Sequence, residues 1–452
     1  MLLGPTGPFA HRRRHTMGDP RPLPMQSETR PELIAGGSRA TSGDPIEPHW
    51  DELPVLRVGT RSGDIQGRDE KAIQAAVDWV SRMGGGTVRL FPGTFRLRNA
   101  VFLHSRVRLI GSGAETVLIK EPSVSTSLAP DTDWYDQEIT LAESGGFQVG
   151  DGVCLRAKNP HNQSVITLKR TLVARSGNRF KLDRAPRENF WQMGQATAST
   201  LFPLLTAEFA EDLHVEDLVL DGNRANNENL DGNYAGCIFL QDCRKVVLRN
   251  VEARYYNGDG ISWQITHDVL VEECHSHDNA GLGLHPGSGS QRPVICGNRI
   301  ERNDIGLFFC WGVKFGVAEG NRISESGSYG LSIGHRDTDN LIRDNEISGS
   351  GRAGVLFRPE RGKSFQPHRN RLEANRILDS GAAQGAGIEI QGEVEGIILE
   401  RNELRESRGP AERVGIRIGE KVGKVTLKEN RLEGFARSVL DQRSPADRNR
   451  SN

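Results

Sequence analysis

The chain reads as an all-β solenoid, and three observations carry that reading. An Asn followed closely by a branched apolar residue recurs at Asn250-Val251, Asn298-Ile300, Asn321-Ile323, Asn345-Ile347, Asn375-Ile377, Asn402-Leu404 and Asn430-Leu432, mostly 23 to 30 residues apart. Between these marks, Gly precedes an apolar residue at Gly260-Ile261, Gly283-Leu284, Gly306-Leu307, Gly330-Leu331, Gly354-Val355, Gly387-Ile388 and Gly415-Ile416. The 52 glycines and abundant Asn suit a chain that turns sharply many times and do not suit a helical one. One repeat is then a strand, an Asn turn, a connection and a second strand that opens at Gly. A leucine-rich repeat has an overlapping period, but it demands a dense Leu consensus, and the apolar positions here mix Ile, Val and Leu.

Taken in order, residues 1–48 are rich in Arg, Pro, Gly and Ser and read as a disordered or wrongly assigned leader, with Met17 and Met25 as alternative starts. Residues 49–121 form an N-terminal cap and the first coils. The cap is an amphipathic helix from Asp69 to Met83, with Ile73, Ala76, Val77, Val80 and Met83 on one face and Gly84-Gly85-Gly86 stopping it. Strands follow at Thr87–Leu90, Phe95–Leu97, Val101–Leu103 and Val107–Ile110, broken by Pro92-Gly93 and Gly111. A helix there covers the otherwise unpaired edge of the first coil. Over 122–207 the coil pattern lapses, and Phe147–Val153, Val165–Leu168, Thr171–Val173 and Phe180–Leu182 read as short antiparallel strands of a small inserted β subdomain. Regular coils occupy 208–440, and 441–452 is a disordered polar tail.

The 58 basic and 59 acidic side chains leave a net charge of −1, so no global field draws the chain to nucleic acid or anionic lipid. Six cysteines show no C-x-x-C pair and no zinc spacing, and read as buried free thiols; Cys274 stands where other repeats carry the turn Asn. No stretch reaches the ~18 apolar residues of a membrane span. The first 45 residues contain no apolar core of a secretory signal, whereas action on a polysaccharide implies an extracytoplasmic location.

The run AIQAAVDWVSRMGGGTVRLFPGTFRL from Ala72 to Leu97, the later VRLIGSG from Val107 to Gly113, and LVLDGNR from Leu218 to Arg224 resemble the pectate-lyase superfamily. That superfamily of right-handed parallel β-helices includes polygalacturonases, rhamnogalacturonases and phage tailspikes. The resemblance covers about residues 55–440 and implies the same fold, with an N-terminal capping helix. It implies less about activity, because the superfamily hosts hydrolases, lyases, epimerases and proteins with no catalysis.

In each Gly-initiated strand the positions one and three after Gly are apolar, so positions two and four point outward. Stacking aligns these into two columns: Ser262, His285, Phe308, Ser332, Leu356, Glu389 and Arg417, then Gln264, Gly287, Cys310, Gly334, Arg358, Gln391 and Gly419. Trp311, Lys314, His335, Asp337 and Glu360 lie just past them. Gly287 and Gly334 are expected to leave a depression where a sugar chain lies, against an aromatic ring for its apolar face and charged groups for its hydroxyls and carboxylates. Asp259, His285, His335 and Arg358 are the candidate catalytic residues. Phe308, Trp311, Gln264, Lys314, Asp337, Glu360 and Glu389 are the candidate substrate-binding residues.

Asn257-Gly258-Asp259-Gly260, with His285 one coil later, is similar to the Asn-x-Asp and Gly-His-Gly elements of polygalacturonases. The family's second-coil Asp pair is missing, His285 is followed by Pro286, and Arg417-Ile418-Gly419 departs from its Arg-Ile-Lys. As bare residues, NGDG is equally a turn. A lyase or epimerase removes the C5 proton of a uronic acid, for which His285 or His335 serves as base and Arg358 neutralises the substrate carboxylate. No metal site is assigned. Asp337 and Asp339 are a possible Ca²⁺ pair in what is otherwise a solvated turn, and His275, His277 and Asp278 read first as polar surface and second as metal ligands. The expectation is a carbohydrate-active enzyme that cleaves or modifies a uronic-acid polysaccharide, by lyase or hydrolase chemistry, in a groove on the outer face of the helix. The alternative is a non-catalytic β-solenoid that binds glycan or scaffolds a surface.

Overall fold

The computed structural model describes residues 49–409 and 411–445; the leader expected over 1–48 and the tail residues 446–452 lie outside the described residues. From Val55 the chain winds into a parallel β-helix. A regular coil contributes two strands to a 22-stranded sheet and one to an 11-stranded sheet that runs from Val101–Phe102 to Arg437–Asp441. One such coil is His267–Glu272, His275–His277 and Leu282–Pro286.

A residue in the left-handed conformation sits at each bend between the two strands of the larger sheet: Asp217, Asn250, Glu273, Gly297, Gly320, Asp344, Ala374, Arg401 and Glu429. That single residue turns the chain, and the side chain after it points inward. From the coil of Asn298 onward the inward residue is Asn, at 298, 321, 345, 375, 402 and 430. Asn321 shows the bonding of the whole ladder. Its Oδ1 accepts the backbone N–H of Asn298 at 3.0 Å and the Asn298 Nδ2 at 2.8 Å, while its own Nδ2 donates to Ile295 O at 2.9 Å and to Asn345 Oδ1 at 2.8 Å.

Asn250 does not belong to this ladder. It occupies the left-handed bend itself, which Asn tolerates as readily as Gly, and Val251 takes the inward place. In the next coil Cys274 takes it. The thiol stands in for a carboxamide: it lies 3.4 Å from Leu248 O and is hydrogen-bonded by the Val251 backbone N–H, while the Cys274 N–H donates to Asn298 Oδ1. Cys154, Cys237, Cys243 and Cys274 are buried free thiols, and Cys296 and Cys310 are half-buried ones.

Two interior columns pack between the sheets. Ile300, Ile323, Ile347, Ile377 and Leu404 form one, and Leu284, Leu307, Leu331, Val355, Ile388 and Ile416 the other, all fully buried. Each such side chain contributes about 1.5–3 kcal/mol of burial. At the N-terminal end α1 (Glu70–Arg82) lays Ile73, Ala76, Val77 and Val80 on the first coils, with the Asp69 side chain accepting the Ala72 N–H as its N-cap. Met83, expected on that face, is instead the C-cap residue and is exposed, because the helix stops before it.

The interruption between the coils holds a six-stranded antiparallel sheet with its own core of Phe147, Leu155, Leu172, Phe180 and Phe190. Its hairpin differs from the expected strands. Val165–Ser176 is one continuous strand with a bulge between Leu172 and Ala174, and the strand expected from Phe147 begins only at Gly152. Gly150, at φ +100°, breaks the chain there, and Arg98 clamps Asp151 with bonds of 2.7 and 2.8 Å.

Asn321→Ala is expected to destabilise the fold by about 3 kcal/mol, since it strips partners from buried N–H and C=O groups of two coils; Cys274→Asn, which restores the ladder group, should cost little. Urea unfolding of both variants checks this. A second expectation concerns acid. His214 foremost, together with Arg108, hydrogen-bonds Glu216 and holds its carboxyl down from the ordinary 4.5 to about 2 against the upward push of burial. This stabilisation is complete above about pH 4.5 and is lost as the pH falls toward 2. Glu216→Gln should therefore lower stability at neutral pH and flatten the loss across that acid window, as urea midpoints measured against pH will show.

Candidate functional site

The register of the 11-stranded sheet stacks Ser262, His285, Phe308, Ser332, Leu356, Glu389 and Arg417 in one outward column. Toward the N-terminus the same column continues through Phe239, Thr206 and Phe102. Phe102 and Thr206 were not legible from the repeat because the inserted subdomain breaks the period between them, and Phe239 was not because Cys237 stands where later strands carry the opening Gly.

Outward does not mean open here. Asp259 and His285 are each only 3% exposed, and Gln264 and Asp337 are buried as well. The segment between the strands Glu211–Asp221 and Ile238–Gln241 lies over Asp259: a Cβ on Gly232 would fall on its carboxylate, and the Gly232 carbonyl accepts the Ser262 hydroxyl at 2.7 Å. The depression expected at Gly287 and Gly334 is filled. The Gln264 amide lies over Gly287 and the Arg358 guanidinium over Gly334, each where a Cβ would otherwise be.

Two clusters result, joined by Arg358. In the first, His285 Nδ1 lies 2.8 Å from Asp259 Oδ2, and Asp259 Oδ1 accepts the Leu282 N–H, which orients the carboxylate. With Nδ1 bonded to Asp259, His285 Nε2 is left buried without a partner. The imidazole meets the edge of Phe308 at 5.4 Å, and the Arg358 guanidinium covers the Phe308 ring at 4.2 Å. Arg358 is held there by Ser332 Oγ at 2.8 Å and Phe309 O at 2.7 Å. In the second cluster the His335 ring is stacked on Trp311 at 4.4 Å and tilted against Phe365 at 4.9 Å, with Glu360 Oε2 3.5 Å from its Nδ1. Trp311 is the exposed member of this group.

Asp337 and Asp339 do not form a cation site together. Asp337 accepts the N–H groups of Gly312, Val313 and Gly334, and Asp339 is taken by a bidentate Arg369. Burial pushes the Asp337 carboxyl up to about 7, with Arg358 and the three N–H groups opposing. Lys314 stands apart, on the turn side between Gln291 and Thr338. Glu389 pairs with Arg417 at 3.1 Å and, with Glu360 and Gln391, lines a cavity of about 410 Å³ beyond Leu356. A second cavity, about 220 Å³, lies where the inserted sheet meets the sheet face at Phe102, Thr206 and Phe239. There the half-buried Lys169 lies over the Phe239 ring at 3.9 Å, and desolvation lowers the pKa of its ammonium to about 8. Lys314 aside, the candidate residues thus lie along one face, from beside the cavity at Phe239 to the cavity that Glu360 and Glu389 line.

Residues 218–358 match the right handed beta helix region family, a stretch that contains every candidate except Glu360 and Glu389. The fold is a right-handed parallel β-helix. Among solved structures, the A-module of the Azotobacter vinelandii mannuronan C-5 epimerase AlgE4 superposes over 85% of this chain and 97% of that one, with a TM-score of 0.53 and 17% identity. The AlgE6 A-module does so over 83% and 95%, with a TM-score of 0.50 and 16% identity. In sequence, mannuronan C5-epimerase AlgE2 of the same organism is 24% identical over 338 residues, 72% of this chain. The chain spans only about a quarter (24%) of that relative's length. No helix among the described residues is long and apolar enough to cross a membrane.

A Cβ on Gly334 would stand 2.1 Å from Arg358 Nη2, and what it meets is the tip of a flexible side chain. Gly334→Ala should therefore fold, melting within a few degrees of the parent, and should swing the guanidinium off Phe308. A crystal structure of the variant with the guanidinium still stacked on that ring would show the reading to be wrong.

Proposed function

We propose that this chain modifies a uronic-acid polysaccharide by removing the proton at C5 of the sugar, with His285 as the base. One observation carries the reading: an imidazole whose Nδ1 is fixed by a buried carboxylate at 2.8 Å, with the opposite nitrogen unpartnered beside an aromatic ring and a guanidinium. Asp259 holds the tautomer that leaves Nε2 as acceptor and stabilises the imidazolium once the proton arrives. Arg358 supplies the positive charge that a carboxylate needs as negative charge spreads onto it from C5. Phe308 offers the apolar face on which a pyranose ring rests. Reprotonation from the opposite face inverts C5; expulsion of the 4-O substituent leaves an unsaturated sugar. The relatives named as mannuronan C5-epimerases support the first outcome. Because the dyad is covered, the substrate must displace Gln264, Phe308 or the Gly232 segment to reach it.

A second reading, glycan binding without turnover, draws on the contrast between the 3% exposure of Asp259 and His285 and the 54% exposure of Trp311. One experiment separates the two. The chain is incubated in D₂O with mannuronan and with other uronic-acid polysaccharides, and C5 deuterium is followed by NMR alongside the absorbance of unsaturated products and the appearance of reducing ends. His285→Gln, Asp259→Asn and Arg358→Gln should each lower exchange by about 10²-fold or more. Exchange undiminished in all three variants sinks the assignment, and glycan binding with no exchange in the parent establishes the second reading.

A further inference from the structure

The 22-stranded sheet carries a cluster that the sugar chemistry does not use. His275 and His277, two residues apart on one strand, lie on the same face, opposite to that of Ser276; His275 is half-buried and His277 is 7% exposed. Their rings are stacked, with centroids 4.0 Å apart. Glu252, on the preceding coil, is the register partner of His275. One ligand atom from each of Glu252, His275 and His277 lies within 4.8 Å of the other two.

Each imidazole is anchored from behind. His277 Nδ1 stands 2.6 Å from Asp278 Oδ2, and Arg302 grips that carboxylate with two bonds of 2.9 Å. His275 Nε2 lies 3.2 Å from Glu301 Oε2. A carboxylate behind each imidazole fixes ring and tautomer and leaves the other nitrogen as a ligand. For His277 that nitrogen is Nε2, and it faces Glu252 Oε1 at 3.3 Å. When His277 gives its N–H to Asp278, Nε2 and Glu252 Oε1 face each other as two acceptors, and a cation held by both removes the conflict. Arg254 competes for the same Glu252 oxygen at 2.6 Å, but it has an alternative in Asp221, 3.0 Å from its Nε.

The geometry points to a divalent transition-metal site formed by Glu252, His275 and His277, on a face separate from Asp259 and His285. Two imidazoles and one carboxylate select a borderline cation of the zinc, copper and nickel class over Ca²⁺ or Mg²⁺, which take all-oxygen sets. Three protein ligands leave a fourth position for water or an external group.

Titration of the tag-free chain with Zn²⁺ by calorimetry is expected to show a site that Ca²⁺ and Mg²⁺ do not fill. His275→Ala and His277→Ala should weaken it roughly 10-fold or more, and His161→Ala, in the inserted subdomain, should leave it intact. Cu²⁺ bound to the parent should give an electron paramagnetic resonance spectrum with hyperfine coupling to two nitrogens, a reading that needs no variant. Melting in excess chelator verifies that the variants fold. Absence of Zn²⁺ binding, unchanged affinity in His277→Ala, or a copper spectrum without nitrogen coupling overturns the site, whatever becomes of the C5 chemistry.

Discussion

The structure depends on a stack of buried carboxamides. Each ladder Asn from 298 to 402 donates its Nδ2 both to a backbone carbonyl of the coil before and to the Oδ1 of the Asn in the coil after, and Asn430 ends the stack with a bond to Leu399 O. Parallel strands on their own tolerate sliding, and a slip of one residue turns every side chain to the opposite face. A slipped Asn would leave a donor and an acceptor unpaired in the interior, at about 1–3 kcal/mol each. The ladder therefore fixes which residues line the outer columns, and the candidate site inherits its geometry from bonds on the far side of the core.

Much of this was legible in the sequence because the ladder and the Gly-initiated strands demand particular residues at particular places. A left-handed bend followed by an inward carboxamide leaves a mark in every coil from Asn298 to Asn430, and period-two alternation from each Gly orders the outward residues of the smaller sheet. Where the reading slipped, one residue type served two purposes. Asn250 satisfies the left-handed bend as well as an Asn ladder position would, so only the register shows that Val251 is the inward residue. A glycine in a column reads as a void, yet at 287 and 334 it is small because a long side chain from the same face, Gln264 or Arg358, lies across it. Lys169 escaped notice because the inserted sheet interrupts the period, and Phe239 because Cys237 stands where later strands carry the opening Gly. His275 and His277 were noted as a pair, but Glu252 was not joined to them because it lies across a coil boundary that spacing alone does not reveal.

The two faces have been built differently. On the larger sheet, charges alternate along and across strands: Glu252 with Arg254, Arg299 with Glu301, Arg371 with Glu373 and Glu400. In these pairs the arginines reach toward solvent while acids such as Glu301 and Glu400 lie close against the sheet, which keeps the strand surface polar and balanced, in keeping with the net charge of −1. The smaller sheet buries its charged residues against one another and against loops, with aromatic rings between them. Burying ionisable groups is costly unless each is partnered, so a face built this way is under a constraint that a solvated sheet escapes.

Arg358 is where that constraint bears on function. It has two acids within reach, Asp337 at 3.5 Å and Glu360 at 3.7 Å, and their dependence on it differs. Asp337 already accepts three backbone N–H groups, and burial shifts it toward the neutral form, so it loses little if the guanidinium turns away. Glu360 keeps His335 as a second partner at 3.5 Å. On the proposed function, a substrate carboxylate arriving over Phe308 competes with one acid that is otherwise saturated and another that has an alternative cation. Arg358 can be recruited without stranding a charge, and that supports the proposed role of this half-buried guanidinium, at the junction of the two clusters, as the partner of a sugar carboxylate.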